Sequence, residues 1–140
     1  MRIFDEKYRQ LVGDKLKNYN FSYEVQPPTD DENYNKELAE ADILLLLEDI
    51  DKKFIIGRGT LTGKLFNYMP YKAPILTICR DDSDIKSILS EVERGAVCEN
   101  EEEITEFLFS DMGRYEGNKE IFKYTRDNQA KELVKLLNED

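Results

Sequence analysis

Apolar residues recur along this chain in blocks, and the spacing within each block predicts an element. Tyr8, Leu11, Val12, Leu16 and Tyr19 fall at helical intervals, which predicts an amphipathic helix over 5–19. Residues 21–25 alternate Phe, Ser, Tyr, Glu, Val, a strand signal closed by Pro27 and Pro28. An acidic stretch over 30–41 opens on good capping residues and reads as a second helix. Ile43, Leu44, Leu45, Leu46 and Leu47 then leave no face for water, so a central strand of a parallel sheet, covered on both sides, is expected there.

Residues 48–63 read as a loop, followed by a short helix over 64–69 that Pro70 ends, and a buried strand over 75–79. Asp81, Asp82 and Ser83 can cap a helix whose Ile85, Ile88, Leu89 and Val92 form one stripe. Gly95 breaks it, and Ala96, Val97 and Cys98 make a short strand. Asn100 and Glu103 are spaced as a capping box for a helix carrying Ile104, Phe107 and Leu108. A loop over 110–119 follows, holding Gly113 and Gly117. A kinked C-terminal helix then runs from Ile121 to Tyr124 and on through Ala130, Leu133, Val134, Leu136 and Leu137.

Strands and helices alternate from end to end, so the expected fold class is α/β, a doubly wound, mainly parallel sheet formed by residues 1–140 as one domain. No repeat, low-complexity tract or internal boundary interrupts the pattern. It opens on a helix where such a sheet ordinarily opens on a strand, so the first strand and its glycine turn are expected to be missing.

Composition narrows the function classes. With 30 Asp and Glu against 20 Lys and Arg, the formal charge is -10, which opposes nucleic acid and anionic lipid surfaces. Any anionic ligand has to be met locally, by a few cations or by backbone amides. Histidine is absent, which removes the commonest general base and the commonest transition-metal ligand together. Cys79 and Cys98 each close an apolar run and read as reduced, buried small hydrophobes. The longest apolar run, 43–47, is too short to span a bilayer, and no basic-then-apolar leader precedes it. The expected setting is cytoplasmic, with no direct membrane insertion.

The chemically suggestive stretch runs Gly57, Arg58, Gly59, Thr60, Leu61, Thr62, Gly63, Lys64, Leu65, Phe66. Three glycines, two cations and two threonines precede a helix, whose unpaired N–H groups and positive dipole end suit a phosphate. It is not a P-loop: Gly59 and Gly63 enclose only three residues, and Leu65 stands where Ser or Thr would hold magnesium. Nor is it a dinucleotide fingerprint, since Thr62 occupies the third glycine position. A flexible loop with solvated charges explains the same residues. Asp82 and Asp84 have the spacing of a metal-binding carboxylate pair, yet a helix cap accounts for them more simply. The acidic runs 30–32 and 101–103 sit at helix starts, where carboxylates favour the dipole.

Taken in order, Ala41-Asp42-Ile43-Leu44-Leu45-Leu46-Leu47, Leu61-Thr62-Gly63-Lys64-Leu65-Phe66-Asn67-Tyr68-Met69, Pro74-Ile75-Leu76 and Asp82-Ser83-Asp84 form a series. The series resembles the C-terminal domain of retaining GT-B glycosyltransferases of the family 4 type (glycosyl transferases group 1), with their "ADvlLLL" strand and "GKlfEYla..kPiL" motif. The tail from Phe122 to Ala130 is similar to that family's closing "fsRe..a" helix, and the resemblance covers residues 21–140.

The resemblance implies a Rossmann-like half of a GT-B fold that holds a nucleotide-diphospho-sugar, a UDP- or GDP-sugar, facing an N-terminal acceptor domain. The site it implies consists of Arg58, Thr62, Gly63, Lys64, Leu65 and Asn67. The amides of Thr62, Gly63 and Lys64 would meet the diphosphate and the Lys64 ammonium would neutralise it, without a metal or other cofactor. The motif's carboxylate, which grips the ribose hydroxyls, is Asn67 here, an amide able to hydrogen-bond a hydroxyl without charge assistance. The loop after the helix reads Tyr71-Lys72-Ala73-Pro74 in place of the family's pattern. The expected function is donor binding for a hexosyltransferase of cell-surface or capsular polysaccharide assembly, inactive alone and membrane-peripheral through its other half. Two alternatives stay open: a degenerate, non-catalytic domain kept for partner interaction or as a scaffold, and an unrelated small-ligand α/β domain.

Overall fold

The computed structural model describes residues 1, 3, 5–51, 53 and 58–138. Two compact units are distinguished, Met1–Glu37 and Leu38–Asp140, and the second helix runs through the boundary between them.

In the first unit, α1 spans Glu6–Leu16, and the Asp5 carboxylate caps it by accepting from the Lys7 amide at 2.8 Å. Ahead of the helix, the Gln26 amide donates to the Met1 carbonyl at 2.8 Å and the Ile3 amide donates to the Gln26 carbonyl at 2.9 Å. That alternation is the hydrogen bonding of a parallel pair. These bonds lie ahead of α1, which is the first element of the chain as the sequence predicts. The strand expected over 21–25 reduces to this bridge at Gln26. Phe21 and Tyr23 instead stand in an exposed aromatic row with Tyr19, at centroid distances of 6.2 and 5.9 Å. No residue of α1 is buried, and Tyr8 and Leu11 stay half exposed.

The second helix, α2, spans Asp31–Glu40, and the Asp30 carboxylate accepts from the Asn33 amide at its start. The second unit is built on β1 (Leu44–Leu47), β2 (Ile75–Ile78) and β3 (Gly95–Cys98), all parallel and ordered β1-β2-β3. The fold is α/β with a three-stranded parallel sheet, its strands joined by α3 (Gly63–Tyr68) and α4 (Asp84–Val92). After β3 come α5 (Glu101–Phe109), 3-10 turns over Met112–Tyr115 and Lys119–Tyr124, and α6 (Arg126–Asn138).

Register decides which face each side chain joins. Leu44 pairs with Ile75 and Leu46 with Thr77, and all four are essentially buried. The opposite face carries Leu45, Leu47, Leu76, Ile78, Ala96 and Cys98, and there Phe107 of α5 packs with Leu76 and Cys98. That cover does not extend to β1: Leu45 is 41% and Leu47 56% exposed. The expectation of a central strand covered on both faces is thus corrected, since β1 stands at one end of the strand order and is buried on alternate residues only. A run of five apolar residues cannot distinguish a covered strand from one with an uncovered face.

The stripe Ile85, Ile88, Leu89 and Val92 is buried as its spacing predicts. The cap of α5 forms as the spacing predicts, with Asn100 Oδ1 accepting from the Glu103 amide at 3.0 Å, while Glu103 Oε2 accepts from the amide of Glu99, one residue before the N-cap, at 2.7 Å. The kink expected near the C-terminus is a full break, because Thr125 is extended (ψ 147°) between the second 3-10 turn and α6. The buried core also holds a cation. Arg94 is 1% exposed and donates to the carbonyls of Lys72 (3.1 Å), Ala73 (2.9 Å) and Tyr115 (2.9 Å). Burial pushes its pKa below the ordinary arginine value.

Candidate functional site

The candidate region is assembled around α3 and the turn between β2 and α4. Because the strands are parallel, the loop leaving β1 and the turn leaving β2 both start at the carboxyl end of the sheet, where open α/β sheets hold ligands. A β-carbon at Gly59 would lie 3.7 Å from the Asp84 carboxylate, so the loop ahead of α3 passes beside the first residue of α4. Gly57, the first glycine of the predicted site loop, and most of residues 52–57 lie outside the described residues.

In the β2–α4 turn, Arg80 is 6% exposed and grips Asp82 with two N–H groups, Nη2 reaching Oδ2 at 2.9 Å. This ion pair, and more weakly the charge of Arg58, holds the Asp82 carboxyl below the usual carboxylate range. Asp82 is therefore committed to Arg80 and does not cap α4. The N-cap Ser83 makes no side-chain cap bond either; its hydroxyl shares a 3.2 Å hydrogen bond with the Cys79 thiol. The capping role expected of Asp82 and Ser83 is corrected accordingly. Among the described residues no three ligating side chains cluster to hold a metal ion.

The predicted site residues separate into distinct places. Arg58 lies close enough to act on Asp82. Thr62 occupies the N-cap of α3 without a side-chain cap bond, and its buried hydroxyl has no partner among the described residues. Gly63 is exposed with open space where a β-carbon would be, so its backbone is approachable. Lys64 is exposed. Leu65 belongs to the core: its side chain is fully buried and its amide already donates to the Thr62 carbonyl at 3.1 Å, which leaves nothing for a ligand. Asn67 is exposed and lines a cleft with Gly63.

That cleft, of about 600 Å³, lies between α3 and the start of α6. Phe66, Met69, Pro70, Ile121 and Tyr124 supply its apolar lining, and the Phe66 and Tyr124 rings sit 5.9 Å apart. Its polar lining is Asn67, Thr125, Arg126 and Gln129. No family model, curated protein or solved structure matches this chain. No helix among the described residues is long and apolar enough to cross a membrane.

Phe66, Tyr124 and Arg126 are cleft residues that sequence reasoning leaves outside the site. The available signal is the pairing of an aromatic on the short helix with an aromatic-basic run, Tyr124-Thr125-Arg126, before the last helix. Nothing in the sequence alone says that these segments meet.

Proposed function

We propose that this chain is the donor-binding half of a two-domain glycosyltransferase, its sheet forming part of a doubly wound, Rossmann-like GT-B domain. It holds a UDP- or GDP-sugar by the diphosphate and works with an N-terminal acceptor domain, in the cytoplasm, on a polysaccharide-assembly pathway. The observation that supports this reading is the position of Gly59 beside Asp84. Asp84 begins the helix that follows β2, so Gly59 lies on the side of the sheet that the carboxyl ends of its strands face, the usual side for a nucleotide in an α/β sheet. The open Gly63 backbone and the exposed Lys64 fit a diphosphate approaching the amides that begin α3. Helix amides and lysine would stabilise the leaving nucleotide with no metal or other cofactor.

Calorimetric titration of the protein with UDP, GDP and their sugar conjugates tests this. Saturable binding of one nucleotide, weakened about tenfold by Lys64→Ala as expected for a charge-assisted contact, supports the reading. Absence of binding by every nucleotide at millimolar concentration sinks it for this chain.

A second reading, a degenerate domain kept for partner interaction, is favoured by the exposed Leu45 and Leu47 on one sheet face and by Phe109, which is 88% exposed. It predicts no response to any nucleotide, and a partner contact that Leu45→Ser with Leu47→Ser abolishes.

A further inference from the structure

The cleft between α3 and α6 has a chemical character of its own. Most of its wall is apolar, with the Phe66 and Tyr124 rings tilted 37° to one another, so it accepts a flat or branched apolar group. Its polar groups are partly committed. The Tyr124 hydroxyl donates to Glu91 Oε2 at 2.7 Å, the Thr125 hydroxyl donates to the Phe122 carbonyl at 2.8 Å, and Gln129 Nε2 donates to the Lys123 carbonyl at 2.7 Å. The donors left over are the side-chain amide of Asn67 and the guanidinium of Arg126, neither of which has a partner among the described residues.

Two uncommitted donors ask for an acceptor, and one of them is a permanent cation. Arg126 is also the cleft's single charged lining residue among those described, in a chain whose net charge is -10. The local charge thus opposes the average one, as a site for an acid requires. We propose that this cleft binds an amphiphilic acid: a compact aryl or branched-alkyl group against Phe66, Met69, Ile121 and Tyr124, with its oxyanion on Arg126 and Asn67. At about 600 Å³ the cleft falls within the range of small-molecule sites. Gly63 and Asn67 line this cleft and also belong to the diphosphate reading, but Lys64 is no part of it, so Lys64→Ala, which should weaken only the nucleotide, separates the two.

The probes are naphthalene-2-sulfonate, the neutral 2-naphthalenemethanol and the cationic 2-naphthylmethylammonium, followed by amide shifts in two-dimensional NMR. The expected result is saturable binding of the sulfonate with shifts at Phe66, Asn67 and Arg126, weaker binding of the alcohol, and none of the ammonium. Arg126→Gln should weaken the sulfonate at least tenfold while changing the alcohol less than twofold. A second variant, Asn67→Ala, should weaken the sulfonate less than Arg126→Gln does. Unchanged resonances elsewhere show that each variant is folded. Equal binding of the three probes, an unaltered sulfonate affinity in Arg126→Gln, displacement of the sulfonate by UDP, or no binding at millimolar concentration would each overturn the proposal.

Discussion

Gly117 lies directly against Arg94: a β-carbon at position 117 would stand 2.3 Å from Cδ of Arg94, and the backbone there has φ +82°. Two costs therefore meet at one residue. A left-handed conformation costs a side-chain-bearing residue about 1–2 kcal/mol, and overpacking a filled site adds about 1–3 kcal/mol. Gly117→Ala should lower unfolding stability by about 2–5 kcal/mol. Urea unfolding followed by tyrosine fluorescence checks this, since the chain has eight Tyr and no Trp.

Arg94 itself joins three carbonyls that no other described side chain reaches. Arg94→Ala removes a charged donor from all three and leaves the buried Ala73 carbonyl and two part-buried carbonyls unpaired, at up to about 1–3 kcal/mol each before relaxation. A loss larger than about 3 kcal/mol is expected, against a smaller loss for Arg94→Lys, which keeps the charge but not the fork of donors. Equal stabilities of the two variants in the same urea assay would count against this account.

Thr77 offers the opposite sign. Its side chain is fully buried and its hydroxyl has no partner among the described residues. Thr77→Val keeps the shape and removes the unpaired group, so stability should rise by about 1 kcal/mol. A thermal or urea midpoint that falls instead would show that the hydroxyl is bonded.

The Asp82 carboxyl is held below its ordinary value first by the Arg80 hydrogen bonds. Its folded-state pKa is the lower one, so whatever the pair contributes is present above about pH 4 and is lost as the pH falls through the depressed value. Carbon-detected NMR should give Asp82 a midpoint below that of a model peptide, and Arg80→Gln should raise it. An unchanged midpoint in the variant would assign the shift elsewhere.

Burial raises both thiols, Cys79 and Cys98, above the ordinary cysteine value. Neither should react with iodoacetamide at pH 8 in the native protein, and both should react in urea, as mass spectrometry would register. Rapid labelling of either one under native conditions would contradict its burial.

Much of the second unit was legible in the sequence because its signals are local. The stripe of α4 is a period, the α5 cap is a pair three residues apart, and Pro70 ends α3 within two residues. What was not legible depends on partners distant in the chain. Arg94 reaches back more than twenty residues to the Lys72 and Ala73 carbonyls, in the loop after α3. The cleft likewise joins Phe66 to Tyr124, which no periodicity connects. Of the predicted site, Gly63 and Asn67 meet at the cleft and Leu65 falls into the core, because a motif fixes an order of residues and not the direction each one faces.

The strand order leaves one margin of β1 without a hydrogen-bonded neighbour among the described strands, beside two leucines in water. Such a margin is a template on which another extended chain can add, and natural sheets protect theirs with charge. Here the protection is collective: the excess of ten negative charges repels an approaching copy before backbone can meet backbone. Salt that screens this charge, or acid that neutralises it, is expected to let the strand margin seed aggregation.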